Sequence, residues 1–236
     1  MRHLPEIAAE ARGRTPAVPV TRMPGTSRWN VIDPLPPTGN VGIELGVAAG
    51  SFSAKMVQSG RFGMFYGVDA YTDGHGAAEY KAALRATGLA SDYRLLRMTF
   101  AQAADLFPEA SFDFIYLDGF AHSGAEGGRT LADWFPKLKP GGILAGDDYD
   151  AKAWPLLVWA VHETAAQLGV GLSVTDLVQD EAYNRFPSWS LTRPPTGPER
   201  LEFPTALQEI AAAETARIDE LRRQKRQEKR RAARQR

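Results

Sequence analysis

The sequence predicts an α/β fold: a seven-stranded, mostly parallel sheet with helices on both faces and an antiparallel hairpin at one edge. Three observations carry this. Short runs are apolar at consecutive positions, as strands covered on both faces require. Helix-length segments separate nearly every pair of runs. The first run passes through a glycine turn directly into an amphipathic segment.

Taken in order, residues 1–40 read as a loosely ordered lead-in, interrupted by Pro5, Pro16, Pro19, Pro24, Pro34, Pro36 and Pro37. From Val41 the texture changes. The predicted strands are Val41–Leu45, Met64–Val68, Tyr93–Arg97, Phe112–Leu117, Gly142–Ala145, Leu172–Leu177 and Ser188–Leu191. The predicted helices between them are Ser51–Ser59, Ala77–Ala86, Thr99–Leu106, Gly124–Trp134 and Trp154–Leu168. The last two strands have no room for a helix between them, which makes them the edge hairpin. After Pro194-Pro195 a Glu/Ala/Arg-rich segment follows, helical from about Thr205 and fraying as charge accumulates. The chain therefore divides into a lead-in (1–40), a central domain (41–194) and a basic tail (195–236), the tail helical or disordered.

The 236 residues include 28 Lys+Arg, 28 Asp+Glu and no Cys, with 44% hydrophobic side chains. This excludes collagenous, disulfide-stapled and wholly disordered chains, and it excludes thiolate metal sites. The zero net charge is an average over unlike parts. Arg217–Arg236 holds ten basic and three acidic residues, which leaves 18 basic and 25 acidic in the remainder. No apolar run serves as a secretory signal or approaches the ~20 residues of a spanning helix. A cytoplasmic location is the expectation.

The first strand ends in Glu44-Leu45-Gly46-Val47-Ala48-Ala49-Gly50-Ser51. Gly46 and Gly50 permit a tight strand-to-helix turn, and Ser51 opens a helix whose first N–H groups are free for a ligand. Nineteen residues past Gly50 the second strand ends at Asp69, an acid placed to accept from ribose hydroxyls. Ala48 breaks the G-x-G-x-x-G spacing of a dinucleotide site. Further acids end the fourth and fifth strands, at Asp118 and at Asp147-Asp148. In an open α/β sheet these ends share one rim. Several uncompensated carboxylates there would raise one another's pKa, a difficulty that a divalent cation would remove, with Mg²⁺ favoured by oxygen ligands.

The wording E-x-G-x-x-x-G resembles motif I of the class I S-adenosylmethionine-dependent methyltransferases, nearest to the catechol and caffeoyl-CoA type O-methyltransferases. The stretch Phe112–Tyr149, with Leu-Asp-Gly-Phe-Ala-His-Ser-Gly and Leu-Lys-Pro-Gly-Gly-Ile-Leu-Ala-Gly-Asp-Asp-Tyr, is similar to the macrocin O-methyltransferase and cephalosporin-hydroxylase-like group. The likeness spans Val41 to Pro194, although His122 stands one residue later than that group's wording and the following Tyr is missing. The resemblance implies a Rossmann-like sheet and S-adenosyl-L-methionine as cofactor. It implies that Glu44 holds the methionine amino end and Asp69 the ribose, with Gly46, Gly50, Ser51 and Asp118 also bordering the cofactor. It implies a metal held by Asp118, Asp147 and Asp148. From position alone, Thr99 faces the adenine end. His122 is the base expected to take a proton from the acceptor hydroxyl, its ordinary pKa near 6.5 suiting that task. Tyr149, Trp154 and His162 are candidates for the acceptor pocket, and His75 is read as exposed.

The reading is a metal-assisted O-methyltransferase acting on a hydroxylated small molecule or sugar. Two alternatives stay open: an NAD-type oxidoreductase on a related sheet, and a non-catalytic adaptor that binds nucleic acid or a partner through the tail, which could also meet an anionic surface. The tail lacks the interleaved aromatics of a base-stacking surface. A homo-oligomer is compatible with all three.

Overall fold

The computed structural model describes residues 5–72, 76–118, 124, 126–178 and 185–234, with backbone alone at 222, 225, 226 and 229–234. The strands in chain order are β1 (Val20–Met23), β2 (Asn40–Leu45), β3 (Phe62–Val68), β4 (Tyr93–Leu96), β5 (Phe112–Leu117), β6 (Leu138–Gly146), β7 (Leu172–Thr175) and β8 (Trp189–Thr192). The helices are α1 (Pro5–Arg14), α2 (Ser51–Gln58), α3 (Ala77–Ala86), α4 (Phe100–Ala104), α5 (Arg129–Trp134), α6 (Pro155–Leu168) and α7 (Thr205–Arg234). One sheet contains all eight strands in the order β1-β7-β8-β6-β5-β2-β3-β4. Only β8 runs antiparallel to its neighbours, β6 and β7.

Side chains alternate across the sheet as its pleat demands. Ile43, Leu45, Ile115, Leu117 and Leu144 face a core shared with α4, α5 and α6. Phe65, Phe114, Tyr116, Ile143 and Ala145 face the other way, toward Phe52 and Met56 of α2 and toward Val31 and Ile32. The sheet is thus covered on both faces, which is why its strands read as continuous apolar runs. No helix among the described residues is long and apolar enough to cross a membrane.

Four expectations are corrected. The sheet has eight strands, not seven, because Val20–Met23 pairs in parallel with Leu172–Thr175. This strand is four residues long and is bracketed by Pro19 and Pro24, so it lacked the length of a recognisable strand; proline is tolerated there because the strand lies at an edge. As a consequence the β7–β8 pair is not the edge: β1 covers it. The helix predicted from Gly124 begins only at Arg129, because Gly127 and Gly128 hold φ values of 60° and 89° in the left-handed region. The lead-in is also more ordered than its prolines suggested, since α1 packs on α6 and a 3-10 turn spans Arg28–Ile32.

Candidate active site

Strand order reverses between β2 and β5: from β2 the chain proceeds outward through β3 and β4, and from β5 it proceeds the other way through β6. Ligands of open α/β sheets bind at the carboxyl ends of strands flanking such a switch point. Backbone bonds carry the ladder one step past each strand and so fix the rim. Gly46 N–H donates to Val68 O (2.8 Å), Asp69 N–H to Leu96 O (3.1 Å), Asp118 N–H to Leu45 O (2.7 Å) and Asp147 N–H to Leu117 O (3.2 Å). The structure therefore brings Glu44, Asp69, Asp118 and Asp147 to one end of the sheet, with Asp148 next along the chain.

The glycine turn has the predicted path. Gly46 and Gly50 sit at φ 101° and 85°, and Ala48 between them is also left-handed at 46°. Ala48 thus holds the backbone that a middle glycine would supply, at a local cost of about 1–2 kcal/mol. Gly50 has a packing reason as well: a Cβ there would lie 2.8 Å from the Ala83 Cα of α3. Asp69 stabilises the turn directly. Its Oδ2 accepts from the N–H groups of Val47 (3.1 Å) and Ala48 (2.9 Å), and its Oδ1 accepts from Tyr71 N–H (2.7 Å). A carboxylate offers about four lone-pair positions, so acceptor capacity for a ribose hydroxyl remains.

Glu44 is buried, at 1% exposure, and accepts from Ser53 Oγ, which in turn accepts from the Tyr93 hydroxyl (2.9 Å). Burial pushes its carboxyl well above the ordinary range, with the Ser53 bond opposing. Thr99 caps α4: its Oγ1 accepts from Gln102 N–H (3.3 Å), while Gln102 Oε1 accepts from Thr99 N–H (3.0 Å). Ser51 is the exposed first residue of α2. His122 and His75 lie outside the described residues.

The expected metal centre is where the structure departs most from the sequence reading. Among the described residues no group of three or more His, Asp or Glu side chains is assembled to hold a metal ion. A guanidinium is there instead. Arg28 Nη2 donates to Asp118 Oδ2 at 2.9 Å, and Arg28 Nη1 lies 3.4 Å from Asp147 Oδ2. The side chain is 3% exposed, and its Cζ lies 4.9 Å from the ring centre of Phe52, 5.2 Å from Trp29 and 5.5 Å from Tyr116. Desolvated cation–π contacts of this kind contribute about 2 kcal/mol, and breaking a buried ion pair costs about 3–5 kcal/mol. Burial alone would lower the Arg28 pKa, but Tyr116, Asp118, Asp147 and Glu44 outweigh it and keep the group charged.

The second relief of charge at the rim is protonation. Burial, and then Asp118, push Asp147 up to about 7 against the pull of Arg28. Burial, and then Asp147 and Asp118, push Asp148 up to about 8. Asp147 Oδ1 also accepts from Ser188 Oγ (3.1 Å), which lies 3.1 Å from the Tyr116 hydroxyl. The repulsion that the sequence assigned to a divalent cation is thus met by one arginine and by carboxyl groups held above their ordinary range. Asp118 and Asp147, both engaged by Arg28, do not form an open metal-ligand set.

Sequence reasoning missed Arg28 because it lies in the Pro-rich lead-in, where nothing repeats or alternates. The available signal was electrostatic: five rim acids called for a cation, which an arginine can supply as well as a metal can. The acceptor-side candidates were placed as well. The Tyr149 hydroxyl lies 2.7 Å from His162 Nε2, and His162 Nδ1 lies 2.8 Å from Pro16 O. The carbonyl can only accept, so Nδ1 carries the proton and Nε2 accepts from Tyr149. This tie joins the lead-in to α6. Trp154 caps that helix and packs partly into the core.

Residues 41–149 match the family described as a methyltransferase domain. A candidate O-methyltransferase from Klebsiella pneumoniae superposes with a TM-score of 0.52 at 16% identity, over 80% of this chain and 87% of that one. An S-adenosylmethionine-dependent methyltransferase from Mesorhizobium loti aligns at 22% identity and a TM-score of 0.41, over 52% of this chain and 53% of that one. The chain spans about half the length of the Mesorhizobium structure, and 49% of a similar methyltransferase from Listeria monocytogenes. No curated protein matches the sequence. Residues 41–149 are thus similar to a methyltransferase domain, and the chain shares its fold with the Klebsiella protein.

Proposed function

We propose that the protein transfers a methyl group from S-adenosylmethionine to a hydroxyl oxygen of a small molecule or sugar. The observation that carries this reading is the left-handed turn Gly46–Gly50, held by Asp69 at the switch point of the sheet, within the segment that matches the methyltransferase domain. When bound, the cofactor supplies an electrophilic methyl group on a sulfonium. The residues that would hold it fit: free N–H groups where α2 opens at Ser51, and remaining acceptor capacity on Asp69. Gly46 and Gly50 keep the turn tight, Asp118 borders the methyl end, Glu44 supports the methionine end through the first turn of α2, and Thr99 stands toward the adenine.

The chain's part in the chemistry is positioning and charge. Holding two reactants in line supplies much of the acceleration. His122 is the assigned proton acceptor. Metal assistance is not part of this proposal, because Arg28 lies between two of the three aspartates. Oxygen as the acceptor atom is supported by the resemblance of Phe112–Tyr149 to O-methyltransferases and by the fold shared with the Klebsiella protein.

The test uses S-adenosylmethionine carrying a ¹³C-methyl group and a panel of hydroxylated, amine and carbon acceptors. The expected result is saturable calorimetric binding of the cofactor and a ¹³C resonance of a methyl ether in the product. Binding of NAD without binding of S-adenosylmethionine would overturn the class reading. Label on nitrogen or carbon alone would overturn oxygen specificity.

A further inference from the structure

We propose that Arg28 is the resident cation of the acidic rim, taking the place between Asp118 and Asp147 where a divalent metal would otherwise bind, so that this site is assembled without one. The guanidinium is a fixed part of the fold rather than a surface side chain that has folded inward. Phe52 and Tyr116, which flank it, stack on each other at 3.9 Å, and Trp29 stacks on Phe52 at 5.6 Å. That arrangement presents aromatic faces to the cation while its N–H groups point to carboxylates, which a planar guanidinium suits and an ammonium does not.

The backbone that delivers Arg28 is built for the purpose. β1 ends at Met23, and the N–H groups of Gly25 and Thr26 donate to the Asp176 carboxylate, at 2.9 Å and 3.1 Å. Leu177 N–H donates back to Thr26 O at 2.9 Å. Asn30 Oδ1 then accepts from Ser27 N–H at 2.9 Å, opening the 3-10 turn on which Arg28 is the first residue. The edge strand thereby anchors the arginine to the far side of the same sheet whose rim it neutralises.

The electrostatics agree with displacement. A divalent ion at the Asp118–Asp147 position would face a buried guanidinium across a few ångströms in a desolvated setting, where like charges repel strongly. Arg28 Nε and Asp147 Oδ2 are buried and make no hydrogen bond, so the pair is held by its surroundings and by charge rather than by a saturated bidentate fork. Removing the arginine would leave carboxylates in the geometry that the sequence alone ascribed to a metal centre.

This inference concerns the rim and not the reaction, so a failed methyl-transfer assay would leave it standing. The test is titration of the full chain with Mn²⁺, followed by electron paramagnetic resonance of the free ion and by calorimetry. Wild type is expected to show no saturable site at millimolar metal. Arg28→Ala, and the less disruptive Arg28→Gln, are expected to gain a site at least tenfold tighter. That site should disappear again when Asp147→Asn is added, a readout that a merely structural role for Arg28 would not produce. Arg28→Lys, which keeps the charge but not the planar fork, should gain less metal affinity than Arg28→Ala. Saturable Mn²⁺ binding by wild type that Asp147→Asn abolishes would overturn the proposal, and so would folded Arg28 variants with no gain. The wild-type titration is decisive even if every Arg28 variant fails to fold.

Discussion

Asp147 and Asp148 are the residues whose chemistry the fold alters most, and the change sets a testable pH dependence. In the unfolded chain both titrate near the ordinary carboxyl value of about 3.9. In the folded chain they are pushed up to about 7 and about 8, chiefly by burial. Between those limits the native state binds more protons than the unfolded state, so their contribution makes stability fall as pH rises from about 4 and level off above about 8. The limiting slope is about 1.4 kcal/mol per pH unit for each group. Urea midpoints should be higher at pH 6 than at pH 8.5, and Asp148→Asn should shrink that difference. An unchanged difference would show that burial does not hold the proton on Asp148. Residue identity alone marked both acids as site candidates. Their protonation depends on what surrounds them, which only folding decides.

At the scale of elements, the sequence was most legible where burial is two-sided. Phe112–Leu117 and Ala77–Ala86 were placed with the boundaries the structure has, because apolar runs and helical periodicity respond directly to which faces are covered. β1 was not legible: four residues between prolines carry no period, and their strand conformation comes from pairing with β7. The turn after β1 rests on Asp176, which is exposed, so the bonds to Gly25 and Thr26 are worth less than buried ones. Asp176→Ala should cost about 1 kcal/mol, a fall of about 2–4 °C in melting temperature for a chain of this size. Hydrogen exchange should quicken over residues 25–32 and stay unchanged in β2 and β5. Equal quickening across the sheet would mean that the turn is not a separate anchoring unit.

For the molecule as a whole, the balanced charge conceals an acidic domain and a basic helix. The buried positions of α7 are Leu207, Ala211 and Glu214, and Arg217 Nη2 pairs with Glu214 Oε1 at 2.6 Å. Beyond Arg217 the described side chains are half-buried or exposed. Truncation after Leu221 should therefore leave the melting temperature within about 2 °C of the full chain, whereas removal from Thr205 onward should lower it by more, since each well-buried apolar side chain contributes about 1.5–3 kcal/mol. A large loss on truncation at Leu221 would show that the distal helix packs on the body.

The sequence by itself determined the alternation of strands and helices and the glycine turn with its rim of acids, because periodicity and turn chemistry are local properties of the chain. It also showed that the acids needed a counter-charge. Which cation serves was decided by tertiary structure alone. Arg28 and Asp118 lie 90 positions apart in the chain, and they meet because an edge strand too short to announce itself pairs with β7 and turns the lead-in over the rim. An ion pair between distant residues leaves no periodic trace in the sequence, and its strength arises only once folding has removed the water between its partners.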